Sequence, residues 1–507
     1  TINDMPTLCH QVENDLRQNR PAINISPLGD LATKESSEVM ADFIRAIERD
    51  SAADIAYDTG AISAIDIGFG YWRIATEYEK PGSFNQVIVL RRIRNSFTVL
   101  LDPARQEPDG CDAGYGFVSE LLYRDEFKEK HPGADPVNWK EKGVGEAYAA
   151  WVTKDQVRVA EYFKIVHDMR RLVQLENGNV AWYDELAPVV LDALRRNETR
   201  LLNDRVAEIQ KVMWRRITSV EVLESQVWPG KWIPIVEVLG DEIDIEGKVV
   251  RSGLIRNAKD PARMENYWAT SKTERVALAP KAHYIMAEGQ DEGYEQEWKE
   301  AHNKSIPVLH YVPLLGPGGQ VLPPPQPRPP IQVDAGTVEA EKAAQQAKMR
   351  VTGVMFNANA VERHLDESGK ALREFRRSTD MGSFHYSDNM GRSLRHTGRI
   401  LLDLIPKIYD TKRTVPALAE DGKESKLKLD PTQGAPITRQ AGATPDAEPS
   451  RVLNPKVGEY GVTVTIGPSY ATKRIEAQES LAKMLGQVPD PMKGVVAALV
   501  AKYSDAA

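Results

Sequence analysis

Between residues 316 and 330 the chain reads GPGGQVLPPPQPRPP, seven prolines in fifteen positions. Proline lacks the backbone donor that a helix interior or a central strand requires, so this stretch must be an extended, exposed loop. What flanks it narrows the fold further. Residues 249–281, VVRSGLIRNAKDPARMENYWATSKTERVALAPK, are largely helix-compatible, with Leu254, Met264, Tyr267 and Trp268 as apolar anchors. Pro261 predicts a kink or a restart at Asp260. On the other side, DAGTVEAEKAAQQAKMRVTGVMF is an Ala-rich helix with Asp334 as N-cap and Ala340, Ala344, Ala347 and Val351 along one side. Two helices flanking a small insertion predict an antiparallel pair capped at its far end. Within that insertion IPVLHYVPLL reads as a strand. The Pro-rich stretch reads either as a stiff structural loop or as a recruitment site for a proline-binding module.

The first half has a different texture. Ser36 or Ser37 predicts a cap for a helix from Glu38 to about Asp50 that buries Val39, Phe43, Ile44 and Ile47. GYWRIATEYEK, NQVIVLRRI and VRVAEYFKIV read as strands, LLYRDEFKEKHPG and ELAPVVLDALRRN as helices, and RVAEIQKVMWRRITSVEVLES as one or two strands. WPGKWIPIVEVLGD reads as a sheet edge or core insertion. This is an α+β block. Near the other end, PTQGAPITRQAGATPDAEPS reads as a linker, and GVTVTIGPSYATKRIEAQESLAKMLGQVP as a strand, a turn and a terminal amphipathic helix.

After the helix pair comes DESGKALREFRRSTDMGSFHYSDNMGRSLRHTGRILLDLIPKIYDTKR, which reads as a helix, a break containing Gly382, and a longer second helix. Lys370, Arg373 and Arg377 share a helical face. Met390, Leu394, Thr397, Leu401, Leu404 and Ile408 form a seam at helical period. Between Lys370 and Arg399 seven Lys or Arg stand against three Asp or Glu, a local +4 in a 507-residue chain of formal charge -8. That balance argues against a broad nucleic-acid-gripping surface but leaves room for one narrow basic element.

Signatures of chemistry fail on spacing. GPGGQ lacks the Lys-Ser/Thr of a phosphate loop, no GxSxG elbow occurs, and the nine histidines are scattered without carboxylates at metal-ligand spacing. Neither catalysis, a metal nor a cofactor is expected. Cys9 and Cys111 are too few for a disulfide framework and read as free thiols in a reducing compartment. No apolar run approaches the roughly 20 residues that span a bilayer. The start, TINDMPTLCHQVENDLRQNRP, lacks a signal-peptide core and an initiator Met, so the chain is expected to begin inside a longer one.

Three blocks carry a family likeness: WIPIVEVLGDEIDIEGKVVRSGLIRNAKDPARMENYWATSKTE, then DESGKAL with FHYSDNMGRSLRHTGRILLDLIPKIYDTKR, then VTVTIGPSYATKRIEAQESLAKMLG. In these the sequence resembles the portal (head-to-tail connector) proteins of tailed double-stranded-DNA bacteriophages, podovirus type. The resemblance implies a homo-oligomeric ring, a dodecamer, in the virion at one capsid vertex, assembled in the host cytoplasm with major capsid and scaffolding proteins and no membrane. Double-stranded DNA passes through it, and the terminase large subunit and then a tail adaptor dock on it. It implies a portal fold with a wing over 1–248, stem helices over 249–279 and 334–356, a clip over 280–333, and a channel helix, tunnel loop and following helix over 357–413. Residues 414–507 would return to the wing and start a C-terminal helical (crown) region.

On that mapping Lys370, Arg373, Arg376, Arg377 and His385 face the DNA channel, Gly382 is the tunnel-loop hinge, and the Met390–Ile408 seam packs the ring together. Trp298, Pro323, Pro324, Pro325 and Arg328 dock the motor and adaptor. An even alternative for the basic cluster is salt bridging to Glu374, Asp380 or a neighbouring subunit, and Arg392, Arg395 and Arg399 lean that way. A rival of another class, an NTP-using or nuclease component of the packaging machine, would need a Walker-type loop or clustered carboxylates, and neither is visible. A capsid scaffold protein without a channel is the third reading.

Overall fold

The computed structural model describes residues 2–136, 151–176, 178, 180–196, 200–278, 284–301, 304, 306–327, 335–354, 369–420, 422–440 and 450–465, with the backbone alone for 369–383. It opens with helix α1 (Met5–Gln18), strand β1 (Ala22–Pro27), helices α2 (Lys34–Asp50) and α3 (Ala53–Ile67), and strands β2 (Phe69–Tyr78), β3 (Gln86–Arg92), β4 (Val99–Leu101) and β5 (Tyr115–Tyr123). Then come α4 (Arg124–Lys130), β6 (Gln156–Leu175), β7 (Val180–Trp182), α5 (Pro188–Arg195), β8 (Leu201–Ile217), β9 (Val222–Trp228), β10 (Ile235–Leu239), β11 (Asp241–Ile245) and β12 (Lys248–Ser252). The second half holds α6 (Leu254–Leu278), β13 (Tyr284–Ile285), α7 (Glu295–Glu300), β14 (Gln326–Pro327), α8 (Ala335–Thr352) and α9 (Gly369–Ile408). It closes with β15 (Arg413–Leu418), β16 (Glu424–Leu429), β17 (Ile437–Gln440), β18 (Ser450–Leu453) and β19 (Tyr460–Thr465). Helices and strands are mixed throughout, an α+β architecture.

The chain divides into two compact units, Thr1–Leu8 with Ile255–Gly382, and Cys9–Leu254 with Ser383–Ala507. The larger unit is built on sheets. β10, β2 and β3 form one, and β4, β5, β6, β8 and β9 form another, with β7 added to β6. A third runs β15-β16-β18-β17, and β1 pairs with β19 so that Ala22 meets Thr465. β11 and β12 form a hairpin ribbon of their own. Every pairing among the described strands is antiparallel except β16 with β18. One apolar core joins α2, α3 and the second half of α9 to the β10-β2-β3 sheet and to β15 and β16.

Local chemistry explains where these elements start. Helix α2 begins four residues before the expected Glu38, because Thr33 rather than Ser36 is its N-cap. The Thr33 side chain accepts the Ser36 N–H at 3.1 Å while Ser36 Oγ accepts the Thr33 N–H at 2.9 Å, a reciprocal capping box. Its predicted face is buried, Val39, Phe43, Ile44 and Ile47 all being at most 4% exposed. Helix α3 lies so close to β2 that a Cβ at Gly70 would sit 1.9 Å from the Gly60 carbonyl oxygen. No side chain fits there.

Of the two alternatives at Pro261, the restart at Asp260 does not occur, since helix α6 runs through it. Two expectations fail on the backbone. Helix α9 runs unbroken through Gly382, where a break and hinge were expected. A lone Gly costs a helix only about 1 kcal/mol relative to Ala, and no Pro stands beside it to stop propagation. IPVLHYVPLL forms no strand beyond the single Leu315–Val321 bridge. Pro307 and Pro313 remove the donors a ladder would need. The linker-like stretch holds β17, and the predicted terminal turn and helix lie outside the described residues, as does the Asp334 cap.

Candidate functional site

In the smaller unit α6 and α8 run antiparallel, since successive contacts climb one helix while descending the other. Arg275 Nη1 donates to Thr337 Oγ1 at 3.2 Å, Lys272 Nζ to Glu341 at 2.6 Å, and Gln345 Nε2 to Glu265 at 2.9 Å. The buried side of α8 is not the expected Ala340, Ala344, Ala347, Val351 stripe. Thr337, Ala344, Lys348 and Thr352 are buried, while Val351 is 46% exposed. Lys348, fully buried, donates to both Glu265 and Asp4. Asp4 belongs to an N-terminal segment that Asn266 clamps, accepting the Ile2 N–H at 2.6 Å and donating to the Ile2 carbonyl at 3.0 Å. A buried ammonium is tolerated only when paired, so this seam fixes the register of three segments more than it adds stability.

The insertion at the far end of this pair is closed by β13 against β14. Inside it Gln290, 1% exposed, ties three strands of chain together. Its side-chain oxygen accepts the Ala287 N–H at 2.9 Å, its amide donates to the Pro323 carbonyl at 3.0 Å, and its backbone carbonyl accepts the Val312 N–H at 2.9 Å. Trp298 corrects an expectation. It is 9% exposed, stacks edge-on against Tyr284 at 4.9 Å and donates its indole N–H to the His310 carbonyl at 2.8 Å. It is interior scaffolding, because an indole offers more to a small core than to a rim. Pro323 and Pro324 are exposed and Pro325 half-buried, while Arg328 lies outside the described residues. The outward apolar groups are Ile285, Tyr294, Val308, Tyr311, Leu315 and Val321.

Helix α9 carries the basic cluster. Lys370, Arg373, Arg376, Arg377 and Gly382 lie on its first half with helical backbone; their side chains, and those of Glu374 and Asp380, lie outside the described residues. The tunnel loop was expected at the break around Gly382, where α9 is continuous helix; residues 355–368 before α9 lie outside the described residues. His385 is half-exposed with Nε2 3.2 Å from Asp241 Oδ1. Arg392 pairs with Asp388 at 2.6 Å, and Arg395 and Arg399 are exposed.

The seam of Met390, Leu394, Thr397, Leu401, Leu404 and Ile408 is buried as expected, at most 7% exposed, but within the subunit's own core. It therefore does not pack the ring together. The reason is a polar ladder on the same helix that sequence reading passed over. Asn389 donates to the Leu239 and Gly240 carbonyls at 3.1 and 2.9 Å, and Ser393 to the Glu237 carbonyl at 2.5 Å. Thr397 accepts the Trp72 indole N–H at 2.9 Å. Asn, Ser and Thr at a spacing of four were the available signal. Asn389 and Ser393 fasten the helix to the free edge of β10 and Thr397 to Trp72 of β2, satisfying groups that would otherwise be orphaned.

Two buried ionisable groups lie nearby. The Glu237 carboxylate, wholly buried, holds the Arg105 guanidinium in a two-pronged pair at 2.6 and 2.7 Å and accepts the Tyr71 hydroxyl at 2.7 Å. Burial and that carboxylate push the Tyr71 phenol up. His396, 1% exposed and edge-on to Trp232 at 5.5 Å, is pushed down to about 4 by burial, so it is neutral at pH 7. Among the described residues no cluster of three or more His, Cys, Asp or Glu is placed to hold a metal ion, and no helix is long and apolar enough to cross a membrane.

Comparison with known proteins bears on these features together. The chain matches the family described as phage P22-like portal protein over residues 1–507, its whole length. It belongs to that family. It is also 24% identical, over 98% of its own length and 70% of the relative's, to a portal protein of Acyrthosiphon pisum secondary endosymbiont phage 1. Proteins of this family are components of the phage virion.

Proposed function

We propose that twelve copies of this chain form a ring at one capsid vertex, through which double-stranded DNA is packaged and later ejected. The observation that carries this is the family match over all 507 residues. On this reading α6 and α8 form the stem and the insertion between them the clip, which receives the terminase motor and then the tail adaptor through its exposed prolines. The larger unit is the wing, set among capsid and scaffolding proteins. The first half of α9 faces the channel with Lys370, Arg373, Arg376 and Arg377. A portal must let the duplex slide both ways, so strong phosphate binding would hinder it. A chain of net charge -8 with one local +4 suits a wall that repels DNA except at one level.

The test replaces Arg373 and Arg377 by Glu in the intact phage. Rings should still assemble, while packaged genome length or retention falls. Unchanged genome content in mature particles sinks the channel assignment. Micrographs of the purified wild-type protein lacking rotationally symmetric rings with a central hole sink the portal reading as a whole.

A further inference from the structure

The Lys348 ammonium, fully buried between α6 and α8, is shared by two carboxylates that are not held alike. The Glu265 side chain is 2% exposed and takes a second hydrogen bond from the Gln345 amide at 2.9 Å. The Asp4 side chain is 27% exposed, and little apolar burial backs it, since Ile2 is 46% exposed and Asn3 is exposed. When Asp4 leaves, Lys348 keeps one carboxylate and the departing group regains water. Breaking the Glu265 contact instead would strand a carboxylate that water barely reaches. Asp4 is therefore the partner that lets go first.

Asp4 also has a second place for its carboxylate. Its backbone carbonyl accepts the Thr7 N–H at 3.1 Å and the Leu8 N–H at 3.3 Å, which puts it at the N-cap of α1. Aspartate is among the preferred residues there, because its carboxylate accepts an N–H from the second or third helical residue and sits at the positive end of the helix dipole. Pro6, the second residue of α1, brings no N–H, so Thr7 is the donor that a capping side chain reaches. In this structure Asp4 Oδ2 is on Lys348 instead.

We propose that Asp4 is a two-position latch. In one position its carboxylate bonds Lys348 and straps residues 2–4 onto the helix pair, with Asn266 gripping both backbone groups of Ile2. In the other it caps α1 at Thr7 and the strap lifts, while Lys348–Glu265, Lys272–Glu341 and Arg275–Thr337 keep α6 and α8 together. The strap opens without opening the helices beneath it. The latch lies within one subunit and stands whether or not copies form a ring.

Electron paramagnetic resonance on the full-length protein tests it. A nitroxide goes on Ile2→Cys in a Cys111→Ser background, Cys9 being buried. The Ile2 grip uses backbone atoms only, so the label leaves it intact. A restricted component should dominate the spectrum. Asp4→Asn keeps a capping side chain but loses the charge that Lys348 holds, and should raise the ratio of mobile to restricted component at least about tenfold. Hydrogen exchange in α6 and α8 of that variant, read by mass spectrometry, should be unchanged. Asp4→Ala removes both positions. Its strap should be as mobile as in Asp4→Asn, while the first turn of α1 exchanges about fivefold faster than in Asp4→Asn. A strap that stays restricted in Asp4→Asn, or α6 and α8 loosening along with it, overturns the latch. Equal exchange at the start of α1 in the Asn and Ala variants overturns its second position.

Discussion

Trp72 and Lys348 are both completely buried, one in each compact unit, and they are held by opposite means. Trp72 packs edge-on against Tyr57 at 5.1 Å, lies over Gly60, and uses its one polar atom on Thr397. Its surroundings are a single large apolar core. Lys348 sits between two helices with Glu265 and Asp4 as partners, in a seam of Thr, Gln, Lys and Glu. Meanwhile Met264 and Tyr267 on α6 face outward at 56% and 64% exposure. The larger unit is thus stabilised by burial within its own chain. The helix pair uses charge to fix alignment and leaves apolar surface for something outside itself.

Trp72→Ala strikes the first arrangement hardest. It should destabilise the larger unit toward the upper end of about 3–5 kcal/mol, measured by denaturant unfolding, because a cavity opens and Thr397 loses its donor. Lys348→Met tests the second. Alone it should cost about 3 kcal/mol, since the buried Glu265 loses its opposite charge and keeps only the Gln345 amide, whereas Lys348→Met with Glu265→Leu should recover most of it. A double variant no better than the single one would show that the seam is needed for stability and would erase the contrast.

His396 separates the units by pH. Its folded value of about 4 lies below the ordinary 6.5, so the unfolded chain binds the proton more readily between those limits. Stability of the larger unit is therefore full above about pH 6.5 and declines as pH falls toward 4, by on the order of 2–3 kcal/mol. In His396→Gln that part of the pH dependence should vanish, as read by unfolding midpoints between pH 4 and 7. The smallest effect belongs to Arg392→Ala. Its pair with Asp388 is exposed and one helical turn apart, so the loss should stay within about 0.5 kcal/mol and shrink further in salt.

What could be read beforehand follows from what repeats locally. The α2 face and the α9 seam were legible because apolar residues at helical period report burial wherever the covering partner comes from. The same periodicity cannot say whose core receives the seam, which is how Met390–Ile408 came to be assigned to ring packing. The Lys348–Glu265–Asp4 triad leaves no local trace, its members standing 83 and 344 positions apart. Gln290 was equally silent, as a lone Gln in an acidic loop has no pattern to betray it. The Pro-rich stretch announced a loop correctly, but Trp298 looked like a docking group only because the small core it fills had not been seen.

The β1–β19 pairing bears on timing. Ala22 finds its partner only at Thr465, so the larger unit cannot complete its sheet until almost the whole described chain has left the ribosome. At about 5–20 residues per second that wait is roughly 20–90 s. Until then β1 keeps an open edge with unpaired backbone groups, so a nascent subunit carries a strand free to pair wrongly with a neighbouring chain for most of its synthesis.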